Sequence, residues 1–153
     1  MARFFLLLTL SCVLLAGNAH AAQLRVSAER YCSGYAGKLD AYRFTKAYGN
    51  SALSVYFSSS TLAAKIRLRI VETAGNADLV LEDSDSGADL KVCSARGSGG
   101  DKTIRIAPTS GVADLTVYAS DSAHNPDYRI YVDSKIFTLQ EAMALLLFLE
   151  LEK

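Results

Sequence analysis

The chain has 153 residues, half of them hydrophobic, with 16 basic and 16 acidic side chains and no net charge. That length suits one domain with a real core. The balance of charge gives no global field of the kind that nucleic acid or an anionic membrane requires. Three cysteines, two histidines and no tryptophan narrow the chemistry further.

Met1–Ala21 reads as a secretory signal peptide. Arg3 is the positive start, Phe4–Leu15 the apolar run, and Ala19-His20-Ala21 a small-x-small cleavage site. The apolar run is shorter than the roughly 20 residues a membrane span needs. A lipoprotein reading would use Cys12, but Thr9-Leu10-Ser11-Cys12 is a poor lipobox. The expected location is the periplasm or the exterior. Loss of the leader leaves about 130 residues, Cys32, Cys93 and one histidine, His124. Two thiols in an exported protein predict a Cys32–Cys93 disulfide. The bridge would close a loop of about 60 residues, worth about 4 kcal/mol in the chain-entropy account. A reactive thiol or a metal ligand is the alternative.

Residues 23–30 alternate Leu24, Val26 and Ala28 with Arg25, Ser27 and Glu29, which predicts a first strand. Tyr31–Gly37 is a connection with cysteine and glycine. Leu39–Thr45 and Leu53–Phe57 are the next strands, and Ser58-Ser59-Ser60 is a turn. Lys65–Val71 alternates most clearly, with Ile66, Leu68 and Ile70 opposed to Lys65, Arg67 and Arg69. The cations form the solvated face of a strand, useful at a sheet edge against unwanted pairing. A sharper reading makes Lys65, Arg67 and Arg69 a stripe that docks an acidic partner or polysaccharide, though no aromatics are interleaved along it.

Asn76–Ala95 is predicted to be a hairpin. Leu79 and Leu81 share one face, Leu90 and Val92 repeat the pattern, and Asp83-Ser84-Asp85-Ser86-Gly87 makes the turn. Lys102–Ala107, Ala113–Ala119 and Tyr128–Val132 are further strands. The triplet Ala-Asp-Leu recurs at Ala77, Ala88 and Ala113, read as shared strand chemistry rather than duplication. Gly97-Ser98-Gly99-Gly100 lacks the lysine and the strand-to-helix setting of a P-loop, so it is taken as a flexible connection.

Asn76-Ala77-Asp78-Leu79-Val80-Leu81 resembles the "DADLYL"-type strand of bacterial pre-peptidase C-terminal (PPC) domains. Tyr42-Arg43-Phe44-Thr45 resembles their "Y-x-F" strand. Val112–Tyr118 with Tyr128–Val132 resembles their closing pair. The resemblance runs from about Gly37 to Asp133. It implies a small jelly-roll-like β-sandwich, an accessory binding module and not a catalyst. The cysteines and the tail after Asp133 depart from the pattern, and no peptidase is attached. Eight or nine short strands with glycine-rich or acidic turns point, independently, to an all-β sandwich. The expected fold is thus a jelly-roll-like antiparallel β-sandwich over residues 22–133, followed by a short C-terminal helix over residues 134–153.

Thr138-Leu139-Gln140-Glu141 is a capping box opening that helix. Ala142–Leu149 is apolar on every side, so it must be buried, yet it is too short to span a bilayer. It could pack on its own sheet, self-associate or enter a partner, with Leu146 and Phe148 as the contact residues.

Glu82, Asp83, Asp85 and Asp89 form an acidic turn that could hold calcium, which takes six to eight oxygens. The turn has half the rhythm of an EF-hand loop but no closing bidentate glutamate; the alternative is a solvated turn. Asp121 and Asp127 form a second, weaker oxygen cluster. No G-x-S-x-G elbow accompanies His124, which lies in a loop by composition. Paired carboxylates could also hydrolyse a glycan if held at a fixed separation, with Asp85 as the residue to test. The expected protein is an exported, non-catalytic binding module that contacts a protein or an extracellular polymer, with structural calcium as an option. The competing expectation is a periplasmic enzyme inhibitor or immunity-type protein.

Overall fold

The computed structural model describes residues 22–32, 39–95 and 100–153. Residues 1–21, expected to be a leader, most of the Tyr31–Gly37 connection and residues 96–99 lie outside them. Nine strands occupy the positions that alternation marks: β1 Leu24–Glu29, β2 Asp40–Thr45, β3 Leu53–Ser58, β4 Ile66–Ile70, β5 Leu79–Asp83, β6 Leu90–Ser94, β7 Lys102–Ile106, β8 Leu115–Ser120 and β9 Tyr128–Asp133. One helix, α1, follows at Leu139–Leu151.

The strands do not form an antiparallel sandwich. They close into a barrel in the order β1-β5-β9-β4-β8-β3-β7-β2-β6, and every pairing is parallel. The hairpin expected over Asn76–Ala95 is absent. β5 lies between β1 and β9, and β6 between β1 and β2. Each strand steps two places around the wall from the one before it. Because the number of strands is odd, two circuits at this step fill every place.

Parallel neighbours ordinarily need a crossover of a dozen residues or more. Stagger removes that need here. Glu29 stands level with Cys93, and Cys93 with Ala41, so β1 ends where β2 begins. The same relation links Thr45, Arg105 and Ser54; Ser58, Tyr118 and Arg67; and Ile70, Ile130 and Leu79. The chain steps about 10 Å sideways, two strand spacings, and never retraces a strand.

The stagger also sets the width. Following the register once around from Leu24 returns to the line of β1 about 16 residues further on. Nine strands with that shear tilt by about 50° and enclose a radius of about 11 Å. An α-helix with its side chains is about 10–12 Å across. Such a barrel has room for one helix once strand side chains line its wall, and α1 occupies that space. It contacts β5 and β9 on one side and β3 and β7 on the other. Ala142–Leu149 are all buried. This explains a helix that is apolar all round: the wall surrounds it.

α1 starts among the C-terminal ends of the strands and runs back through the lumen. Thr138 and Glu141 form the expected capping box. The Phe137 ring meets Phe44 of β2 edge-on at 5.6 Å. At the far end Glu152 pairs with Lys102, the first residue of β7. Leu24, Val26, Leu68, Leu79, Leu81, Ile104, Val117 and Ile130 pack on the helix from the wall. Tyr42 also points inward, edge-on to Phe148 at 5.9 Å. Burial, with lesser effects from Asp40, Glu152 and Asp101, pushes its hydroxyl up to about 12.

The recurring Ala-Asp-Leu has a structural job, contrary to its reading as common strand chemistry. Strand starts recur at intervals of roughly 13 residues, the mark of a repeated unit. Asp78, Asp89, Asp101, Asp114 and Asp127 stand immediately before β5, β6, β7, β8 and β9. Each donates its backbone N–H to the carbonyl of the second residue of a neighbouring strand. That residue's own N–H returns a bond to the carboxylate, at 2.7 Å for Arg129 and Arg67, 2.8 Å for Arg25 and Ser54, and 3.3 Å for Ala41. The carboxylate serves as acceptor for an N–H at the ladder's end, one that would otherwise lack a partner. Ala52 and Lys65, at the same place before β3 and β4, keep only the backbone half.

Asp114 is the sharpest test, because its partner Ser54 is buried. Asp114→Ala leaves that N–H unpaired and should cost about 1–3 kcal/mol. Asp114→Asn keeps an acceptor oxygen and should cost markedly less. Urea unfolding of the two variants measures the difference; equal losses would contradict the capping role.

Candidate functional site

A filled lumen leaves the outer wall and the two rims for recognition. At the end of β5, an open cleft of about 420 Å³ is lined by Glu82, Asp83, Asp85, Asp133 and Lys135. The turn's carboxylates converge on a cation from the chain itself. The Arg25 guanidinium lies 2.7 Å from Glu82 and 2.8 Å from Asp85. Asp85 also accepts from Gly87 N–H at 2.8 Å. Asp83 accepts from the Ser134 hydroxyl at 2.6 Å and from Lys135 N–H at 2.8 Å. Asp89 caps Arg25 N–H as described. The four residues of the calcium reading thus face protein donors. Among the described residues no three His, Cys, Asp or Glu side chains group to hold a metal.

Arg25 holds the Asp85 carboxyl below its ordinary range, chiefly through their hydrogen bond and secondarily through Gly87 N–H. The folded pKa lies below the unfolded one. The interaction therefore stabilises above the ordinary aspartate value of about 3.9 and is lost as pH falls through the lowered folded value. The stability difference between the wild type and Asp85→Asn should stay constant near neutrality and shrink below about pH 4. Urea midpoints across pH check this; a difference that grows on acidification would contradict it.

Lys65, Arg67 and Arg69 do share the outer face beside and along β4. β4 is no edge strand, since a closed barrel has none. Neighbouring strands supply the aromatics missing along the stripe itself: Arg67 stands beside Tyr118 of β8. Arg69 stands beside Ser120 of β8 and Arg129 of β9. Arg69 donates to the Ala123 carbonyl at 2.9 Å. Asp78 pairs with Arg129 at 2.8 Å and raises the pKa of its guanidinium.

Leu146 and Phe148 are not at a surface. Both lie in the lumen, 0% and 4% exposed. As partner or self-association contacts they are corrected: the barrel covers every stripe of α1. Cys32 and Cys93 are joined, with Cα atoms 5.3 Å apart and a sequence separation of 61. His124 is exposed in the β8–β9 connection.

A second cleft lies on the outer wall beside β2, where sequence reading named no site. It measures about 270 Å³ and is lined by Arg43, Thr45, Tyr48, Asn50 and Thr103 among others. Arg43 donates through Nε at 3.3 Å and a terminal nitrogen at 3.1 Å to Thr103 Oγ1. Tyr48 is 81% exposed as a whole residue. One face of its ring rests on the Arg105 guanidinium, 4.6 Å from the ring centroid. Arg105 is only 4% exposed; it bonds Ser54 Oγ at 2.9 Å and the Val112 carbonyl. The one signal in the sequence is an aromatic among turn formers, Ala47-Tyr48-Gly49-Asn50.

No protein-family model, curated protein or solved structure matches this chain, so neither a PPC relationship nor any other family assignment gains support.

Proposed function

We propose that the protein is an exported, non-catalytic binding module that contacts a protein or an extracellular polymer through the outside of its barrel. One observation carries the reading: α1 fills the lumen, so the space where barrels of this width hold small ligands is taken by the chain's own core. What remains is an outer wall that carries Arg67 and Arg69 on β4, Tyr118 on β8, and Arg129 and Tyr131 on β9. Arginine and tyrosine are the residues that recognition surfaces favour. Export agrees with the leader-like first 21 residues and with the Cys32–Cys93 bridge, a bond that oxidising compartments maintain.

The test uses the oxidised full chain immobilised and exposed to periplasmic and culture-fluid fractions. Arg67→Gln with Arg69→Gln should lose a salt-sensitive partner while keeping a cooperative melt, lowered only by the lost Arg69–Ala123 bond. Unchanged retention in that variant, or turnover of a glycan panel abolished by Asp85→Asn, would overturn the reading.

A further inference from the structure

We propose that the cleft beside β2 is a subsite for a carboxylated sugar ring, with Tyr48 as its stacking platform and Arg43 as its carboxylate anchor. The inference rests on the binding-module reading and names a ligand class for it. The platform is held in place. Arg105 supports the inner face of the Tyr48 ring, and Ser54 and Val112 fix Arg105 in turn. The outer face is open to solvent, and its electron-rich surface suits the C–H face of a pyranose.

The anchor is equally prepared. Thr103 uses only part of the Arg43 donor set and fixes the plane of the fork. The remaining N–H groups match a carboxylate in bidentate geometry. Among the described residues, no carboxylate forms an ion pair with Arg43 or Arg105. Arg105 is a nearly buried cation with neutral partners only, an arrangement that a nearby anion would offset. Thr45, Asn50 and Thr103 supply hydrogen-bonding groups suited to ring hydroxyls. A volume of about 270 Å³ lies at the small end of ligand sites and admits a single ring-sized group. The lining mixes a cation and hydroxyl or amide groups with the apolar surface of Phe44, Ala47 and Tyr48, which suits a sugar ring carrying both a C–H face and a carboxylate.

Amide chemical shifts of the isotope-labelled oxidised chain, titrated with methyl glucuronide, methyl glucoside, acetate and a blocked Asp-Glu dipeptide, test this. The glucuronide should shift the amides of β2 and residues 46–50 saturably, and bind roughly tenfold or more tighter than the glucoside, as a charge-assisted pair implies. Arg43→Gln should erase that difference. Tyr48→Phe should retain binding and Tyr48→Ala lose it. Arg43 is half-buried and its printed side-chain bonds go to Thr103 alone, so Arg43→Gln should stay folded even if Tyr48→Ala does not. Acetate or the dipeptide binding as tightly as the glucuronide would overturn the proposal. So would glucuronide affinity unchanged in Arg43→Gln, or no saturable shift. If the capture experiment succeeds while the glucuronide fails, only this subsite falls; if the β4 variant captures as well as the wild type, the wider reading falls independently.

Discussion

A chain ending at Asp133 is expected to lose its cooperative unfolding transition, although it keeps all nine strands. The reason is arithmetic at the centre of the barrel. Met143, Leu145, Leu146, Leu147 and Phe148 are all buried in the lumen. Burying one such side chain contributes about 1.5–3 kcal/mol. Five together contribute about 10 kcal/mol, which matches the net stability of a whole domain, about 5–15 kcal/mol. Nothing else can fill the space, because the wall is held open by its own register. A milder probe is Leu146→Ala, expected to cost about 2–5 kcal/mol. Circular dichroism during heating measures both. A truncated chain that melts as sharply and as late as the full one would show that α1 is an accessory and not the core.

Removal of the disulfide is expected to have the next largest effect. Cys32 lies just beyond β1, and Cys93 sits within β6, level with Glu29. The bond therefore ties the first circuit of the barrel to the second, at the seam where β1 meets β6. Its loop of 61 residues corresponds to about 4 kcal/mol of loop-closure entropy in the unfolded chain. Cys32→Ser with Cys93→Ser should lower the melting temperature by roughly 10–20 °C. Reductant should bring the wild type to the same value and leave the double variant unchanged. A loss below about 0.5 kcal/mol would contradict a stabilising role.

The elements of this fold are legible in the sequence, and its pairing is not. Alternation such as Ile66, Leu68, Ile70 against Arg67 and Arg69 places β4 and its inward face correctly. It carries no information about the neighbour or the direction of pairing. Parallel strands usually read as continuous apolar runs, because helices cover both faces. Here one helix covers the inside and water meets the outside, so the strands carry the in-out alternation of an antiparallel sheet. Short connections point the same way, since stagger allows links that elsewhere mean hairpins. Asp78, Asp89 and Asp114 sit in the recurring triplet, but Asp101 follows Gly100 and Asp127 follows Pro126, so the triplet hides the wider pattern of an aspartate before each of β5 to β9. Among candidate sites, the acidic turn was visible by composition, but its partner Arg25 lies 60 residues from Asp85 in sequence. Arg43, Tyr48 and Arg105 come together only through the β2–β7 register, which no local pattern reveals.

Nuclear Overhauser contacts from the methyl groups of Leu145, Leu146 and Leu147 test most directly whether a parallel wall encloses α1. They should reach residues of β5 and β9 and, on the opposite side, residues of β3 and β7, with none of the three leucines open to solvent. Contacts confined to one side, with a solvent-accessible leucine stripe on the other, would contradict the enclosed helix and restore a helix lying on an open sheet.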